Sequence, residues 1–236
     1  MDSLAAGGHF PFRDWCRSCV AGRGLSEGHY AIDHASDTIP TIAIDYGYLG
    51  DTADDDRASP IIFGADSKTR WRFSHVLQSK GIGHLHSVRV LVAELVASGY
   101  ARLILKSDEE PAIVALKREV ARIVKIENGI EVMMEESPVG ESQSNGLAEG
   151  AVRICKGAVK TLKHAYEALH GVAVEQNSPI LTWLVEASAS LMNRGQRGSD
   201  GRTAYELRRG KPFRKEQVPF GECVLYLPAG KRQSTL

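Results

Sequence analysis

Along the chain the spacing of apolar and polar residues changes several times, and each change marks an element. From Pro40 the run Thr41-Ile42-Ala43-Ile44-Asp45-Tyr46-Gly47-Tyr48-Leu49 is rich in β-branched and aromatic residues, which predicts a strand. It breaks in an acidic loop from Asp51 to Arg57. Pro60 to Ala65 reads as a second strand, and after the turn-like Asp66-Ser67-Lys68-Thr69 the stretch Arg70 to Leu77 alternates in character like a third. The three predict an antiparallel meander. Val88, Leu91, Val92, Leu95 and Val96 then recur at helical spacing, and the pattern stops at Gly99, a glycine that can end a helix.

Ala101 to Lys106 is a short apolar strand with Asp108 just past its end, and Glu109 to Lys125 resumes a helical period marked by Ile113, Leu116, Val120 and Ile123. Ile130 to Met134 reads as another strand. A polar loop from Glu136 to Asn145 leads into a long helix ending near His170, with Leu147, Val152, Val159 and Leu162 expected to face inward. A further helix covers Pro179 to Asn193, with Trp183, Leu184 and Leu191 expected in the core, and Trp71 likewise. Thr203 to Arg209 predicts a short helix and Cys223 to Leu227 a strand. Before Pro40 no period is sustained, so that part reads as an irregular appendage. The order from Pro40 to His170 is βββαβαβα.

At 236 residues, with 43% hydrophobic and 25% charged residues, the chain has the composition of a globular domain with short extensions. No apolar run reaches the ~18–20 residues of a membrane span, and no basic segment followed by an apolar one opens the chain, which gives the expectation of a soluble, unsecreted protein. Four cysteines, of which only Cys16 and Cys19 are closely spaced, fit a reducing compartment better than a disulfide framework. The formal net charge is zero, yet it is unevenly spread. Residues 1–150 hold 15 Lys and Arg against 22 Asp and Glu, a net of −7, while residues 151–236 hold 14 against 7, a net of +7. An acidic part beside a basic one is the arrangement expected where bound cations or a polyanion complete the charge balance.

Two acids stand out by position. Asp45 interrupts an apolar strand, where an unpaired carboxylate is costly, and Asp108 ends the fourth strand. If those strands are neighbours, both carboxylates face one cleft, and a third from the start of the long helix completes an all-oxygen site suited to Mg²⁺ or Mn²⁺. Singly, each has an ordinary explanation: backbone bonding for Asp45, a helix cap for Asp108, and a helix-dipole partner for the third. Arg153, Lys156, Lys160 and Lys163 follow Glu149 at helical spacing, on the same side of one helix. Asp54-Asp55-Asp56 reads as a solvated loop, and His84 and His86 as surface or capping residues.

The sequence resembles the catalytic core of retroviral and retrotransposon integrases, above all the copia type. The resemblance rests on Thr41-Ile42-Ala43-Ile44-Asp45-Tyr46, on Leu105-Lys106-Ser107-Asp108-Glu109-Glu110-Pro111, and on Ser137-Pro138 followed by Ser144-Asn145-Gly146-Leu147-Ala148-Glu149. It continues through Asp200-Gly201-Arg202-Thr203-Ala204-Tyr205-Glu206 and Phe220-Gly221-Glu222, and so spans nearly the whole chain. It implies a ribonuclease-H-like α/β fold with a mixed five-stranded sheet flanked by helices, a core at 39–198, a partial zinc-binding-like segment at 1–38 and a basic extension at 199–236. Asp45, Asp108 and Glu149 would then be the catalytic acids and would hold two divalent ions.

For the third acid Glu141 competes, because 32 residues separate it from Asp108 and 40 separate Glu149, and the family gap falls between the two. The Ser/Asn/Gly turn before a helix favours Glu149. The resemblance further implies DNA contacts from Asn145, Arg153, Lys156 and Lys160, with residues 194–215 as a secondary basic surface. Element DNA, target DNA and further copies of the chain are the implied partners, and the nucleus, otherwise the cytoplasm, the place of action. His9, Cys16 and Cys19 resemble part of a zinc site, although the family supplies two upstream His and this chain offers only His9, leaving His29 or His34 as replacements. Two other readings share these residues: an inactive or co-opted fragment that only binds DNA, and a ribonuclease-H-like nuclease or DNA transposase.

Overall fold

The structure is a computed structural model that describes residues 7–11, 13, 15–22, 39–49, 59–136, 146–175 and 178–224. A five-stranded sheet is built from β1 (Thr41–Gly47), β2 (Ile61–Asp66), β3 (Arg72–Val76), β4 (Arg102–Ser107) and β5 (Glu131–Glu136) in the order β3-β2-β1-β4-β5. β1, β2 and β3 pair antiparallel as a meander, while β1 with β4 and β4 with β5 pair parallel. The parallel pairs require crossovers, supplied by α2 (Leu85–Ser98) and α3 (Pro111–Asn128). α2 ends at Gly99 and α3 at Gly129, both left-handed, where other residues would be strained. α3 opens on Pro111, whose missing N–H is one that a first helical turn leaves unpaired anyway.

Alternation along β1 sends its residues to two cores. Ile42, Ile44 and Tyr46 join Leu103, Leu105, Leu91, Leu95, Leu116 and Val120 under α2 and α3. The opposite face, where Ile61 and Phe63 lie, is covered by α4 (Gly146–His170) and α5 (Pro179–Gly195) through Cys155, Val159, Leu162, Leu184 and Met192. The molecule therefore has three layers, helices on both faces of the sheet. α6 (Ala204–Arg209) follows a Thr203–Glu206 capping box.

Several expectations change. Trp183 is 72% exposed. The inward side of α5 begins at Leu184, and one residue earlier points about 100° away on a 3.6-residue turn. Leu147 and Val152 are only half-buried, because α4 turns Ala148, Ala151, Cys155 and Ala158 to the sheet instead. Trp71 is half-buried, packed against the α2–α3 core with the Arg208 guanidinium over its ring. The appendage contains a short helix, α1 (Arg17–Gly22), and Cys223 and Val224 are not in a strand. The Asp51 to Arg57 loop, residues 23–38 and residues 225–227 lie outside the described residues. No helix among the described residues is long and apolar enough to cross a membrane.

Candidate active site

The parallel register aligns Thr41 with Ile104, Ile42 with Leu105 and Ala43 with Lys106. Continued two residues, it sets Asp45 level with Asp108 on adjacent strands. Asp45 shares a face with Ala43 and Gly47, the side on which α4 packs. A Cβ at Gly47 would stand 3.0 Å from the Phe63 ring and 3.3 Å from Lys156 Cε, so the small residue admits the Lys156 stem beside the site. Glu149 lies in the first turn of α4 and is exposed, where the helix dipole favours a negative charge.

Electrostatics show that these groups converge. The Asp45 carboxyl is pushed up to about 6, first by burial, then by the negative charge of Asp108, with smaller contributions from Glu110 and Glu149; the Tyr46 backbone N–H pulls the other way. Asp108 does not cap α3. Its Oδ1 accepts the Glu110 N–H at 3.3 Å, and Glu110 itself stands at the cap position without a side-chain capping bond. Asp108 is half-buried, and its carboxylate, held by that one turn, is near enough for its charge to act on Asp45.

Sequence reasoning missed three groups at this site. Glu110 brings a fourth carboxylate close enough to act on Asp45. Lys80, in the loop after β3, donates to both Glu110 oxygens at 2.9 and 3.0 Å. Lys117, at a position that the α3 period fills with apolar residues, is fully buried and donates to the Glu135 carbonyl at 2.8 Å. Burial holds its amine below the usual lysine range, while Glu136, Asp108 and Glu135 oppose that shift.

Arg153 and Lys160 are exposed and Lys156 half-buried along the α4 side that carries Glu149. Lys163 pairs with Glu167 at 3.5 Å. Glu141 and Asn145 lie outside the described residues. His84 and His86 are exposed at the start of α2. Cys155 is an enclosed thiol, pushed up to about 12 by burial.

A second constellation stands at the N-terminal segment. His9, Cys16 and Cys19 are all buried, and one ligand atom from each lies within 4.8 Å of the others. His9 Nδ1 and Cys16 Sγ are 3.3 Å apart. With Zn–N near 2.0 Å and Zn–S near 2.3 Å, a tetrahedral centre sets such atoms about 3.5 Å apart, so the donor set fits zinc. Among the described residues no fourth His, Cys, Asp or Glu joins the group, and His29 and His34 lie outside them. The segment is fastened to the core: Gly22 packs on the Thr161 backbone with no space for a Cβ, and Ser18 Oγ lies 3.1 Å from His164 Nδ1.

No protein-family profile and no curated protein matches the chain. Solved structures do. A chain of the simian T-cell lymphotropic virus intasome, in complex with PP2A regulatory subunit B56 gamma, is similar at a TM-score of 0.50 and 14% identity, over 90% of this chain and 66% of that one. The HTLV-2 integrase catalytic core domain, in a trimeric form with magnesium, is similar at 0.46 and 15%, over 71% and 95%. The chain thus spans just under two thirds of the length of the intasome chain. Its fold is that of the retroviral integrase catalytic core, ribonuclease-H-like, with the mixed five-stranded sheet and flanking helices that the sequence led us to expect.

Proposed function

We propose that this protein is an integrase-type polynucleotidyl transferase of a copia-like retrotransposon. The observation that carries the reading is the set of acids about Asp45 at one end of the sheet: burial first, then the negative charge of Asp108 and, least, that of Glu149, push the Asp45 carboxyl up to about 6. Like charges crowded this way are relieved by a cation, and an all-carboxylate donor set selects a hard one, Mg²⁺ or Mn²⁺. When bound, such ions activate an attacking oxygen and stabilise a leaving one in phosphoryl transfer. Asp45 and Asp108, fixed by adjacent strands, and Glu149, brought by α4, hold them. Arg153, Lys156 and Lys160 position the DNA backbone through its phosphates, with Asn145 nearby in sequence.

The chemistry has two steps. Water first attacks the phosphodiester near the 3′ end of element DNA, releasing the terminal nucleotides and leaving a 3′ hydroxyl. That hydroxyl then attacks a target phosphodiester, forming one P–O bond as another breaks. Joining two ends calls for more than one copy of the chain, and the reaction belongs where target DNA lies, in the nucleus. Asp108→Asn should abolish Mn²⁺-dependent joining while DNA affinity stays within about twofold. The assay is product length: joining yields strands longer than the substrate and cleavage only shorter ones, so exclusively shorter products from the unaltered chain would redirect the reading to a nuclease.

We further propose zinc as a structural ion at His9, Cys16 and Cys19, with water or a histidine of the 23–38 segment in the fourth position.

A further inference from the structure

The carboxylate cluster poses a problem for its own substrate. Asp45, Asp108, Glu110 and Glu149 crowd the mouth that a DNA strand must enter, and a phosphodiester is repelled by each of them. On the α4 side Lys156 answers this, its stem lying over Gly47. On the opposite side, among the described residues, two lysines act electrostatically on Asp108. Lys117 is fully buried and spends its amine on the Glu135 carbonyl, so no phosphate reaches it. Lys80 is about one-third exposed and stands at the rim.

Its seat is well defined. The Lys80 amine lies 5.2 Å from the Tyr46 ring centroid and 5.7 Å from that of Tyr48, the residues that flank Gly47 on β1 and just beyond it. The Gly81 N–H donates to the Tyr46 hydroxyl at 3.0 Å, which clips the Lys80 loop to the end of the catalytic strand. Aromatic faces hold a cation without adding net negative charge. The amine therefore keeps its place if Glu110 lets go, and a partly exposed ion pair is weak enough in water for a phosphate to displace it.

We propose that Lys80 is a DNA-phosphate contact of this site, straddling the end of β1 with Lys156, and that Glu110 holds it until DNA arrives. The ligand is a phosphodiester of the DNA backbone, so the contact carries affinity and not sequence choice. This rests on the reading of the site as a DNA-joining centre.

The test is salt-dependent binding of the full chain to a short DNA duplex, without divalent ions, so that it does not depend on catalysis. Lys80→Met should flatten the slope of log K against log salt by about one unit, equally for unrelated duplex sequences. Lys80→Arg should retain the slope, and Glu110→Gln, which frees Lys80 without altering it, should tighten binding. An unchanged slope in Lys80→Met, or weaker binding in Glu110→Gln, overturns the proposal even where Lys156→Ala flattens the slope and so upholds the DNA surface on α4. If the unaltered chain shows no salt-dependent DNA binding at all, the functional reading fails first and this contact with it.

Discussion

Asp45 shows what a single residue contributes and what it costs. Its carboxyl has a folded-state value of about 6 against an ordinary 3.8, so the folded chain binds that proton more tightly than the unfolded one. The resulting stabilisation is complete below about pH 4 and is lost as the pH rises through 6. Asp45→Asn removes the repulsion at any pH. Allowing for the water that still reaches the group, its melting temperature at pH 7.5 should exceed that of the unaltered chain by roughly 2–4 °C, with the gap narrowing by about half at pH 5. An equal gap at both pH values would show that the charge at Asp45 is not the cause. Asp45 and Asp108 were legible in the sequence because a carboxylate inside an apolar strand, or just past one, breaks a pattern. Lys80 and Glu110 break none. Lys117 does interrupt an apolar helical stripe, but a lysine among helix formers is ordinarily read as solvated, and only its bond to the Glu135 carbonyl explains its burial.

At the scale of elements, β1 to β5 and the main helices lie close to where periodicity put them, because each carries a stripe or an alternation that one environment selects. The inward side of α4 was the exception. Leu147 and Val152 were expected against the sheet, yet Ala148, Ala151, Cys155 and Ala158 take that side and let the helix approach closely, while Val159 and Leu162 are buried as expected. Alanine carries little hydrophobic signal, so the pattern of Leu and Val misled by one position. That close approach brings Glu149 toward Asp45. Ala158→Leu should therefore destabilise the fold by about 1–3 kcal/mol through overpacking. Chemical denaturation measures this, and a change below about 0.5 kcal/mol would show that the α4–sheet contact has slack. Glu149 was preferred over Glu141 on its helix-start context, and its position in the first turn of α4 accords with that preference. Glu141 lies outside the described residues, so the comparison stands on the sequence.

Over the whole molecule, the layered fold was expected from the resemblance, and the element order agreed with it, since two parallel crossovers and a meander leave few topologies. Relations between distant segments were not. Nothing in the sequence pairs residues near Cys19 with Thr161 and His164, yet α1 packs there and carries the zinc-like triad with it. If the triad holds zinc as proposed, a chelator should lower the melting temperature of the full chain by several degrees. Cys19→Ser should abolish both that sensitivity and one equivalent of bound metal, read by atomic absorption. Metal-free protein with an unchanged melting curve would leave three buried side chains packed together and no more. Trp183 was misplaced for a similar reason: a tryptophan reads as core, but it lines an open groove of about 540 Å³ with Trp71, Phe73, Glu186 and Phe220.

The pairing of β1 with β4 joins segments about 60 residues apart, across the meander and α2. Contacts between such distant segments form late, because the intervening chain must be closed before they contribute. A chain that has formed only its first hairpin has Asp45 but no Asp108 beside it, and one without α4 lacks Glu149. The carboxylates meet only when the sheet and both helical layers are in place, so under the proposed function a nascent or unravelling molecule has no assembled centre with which to cut nucleic acid.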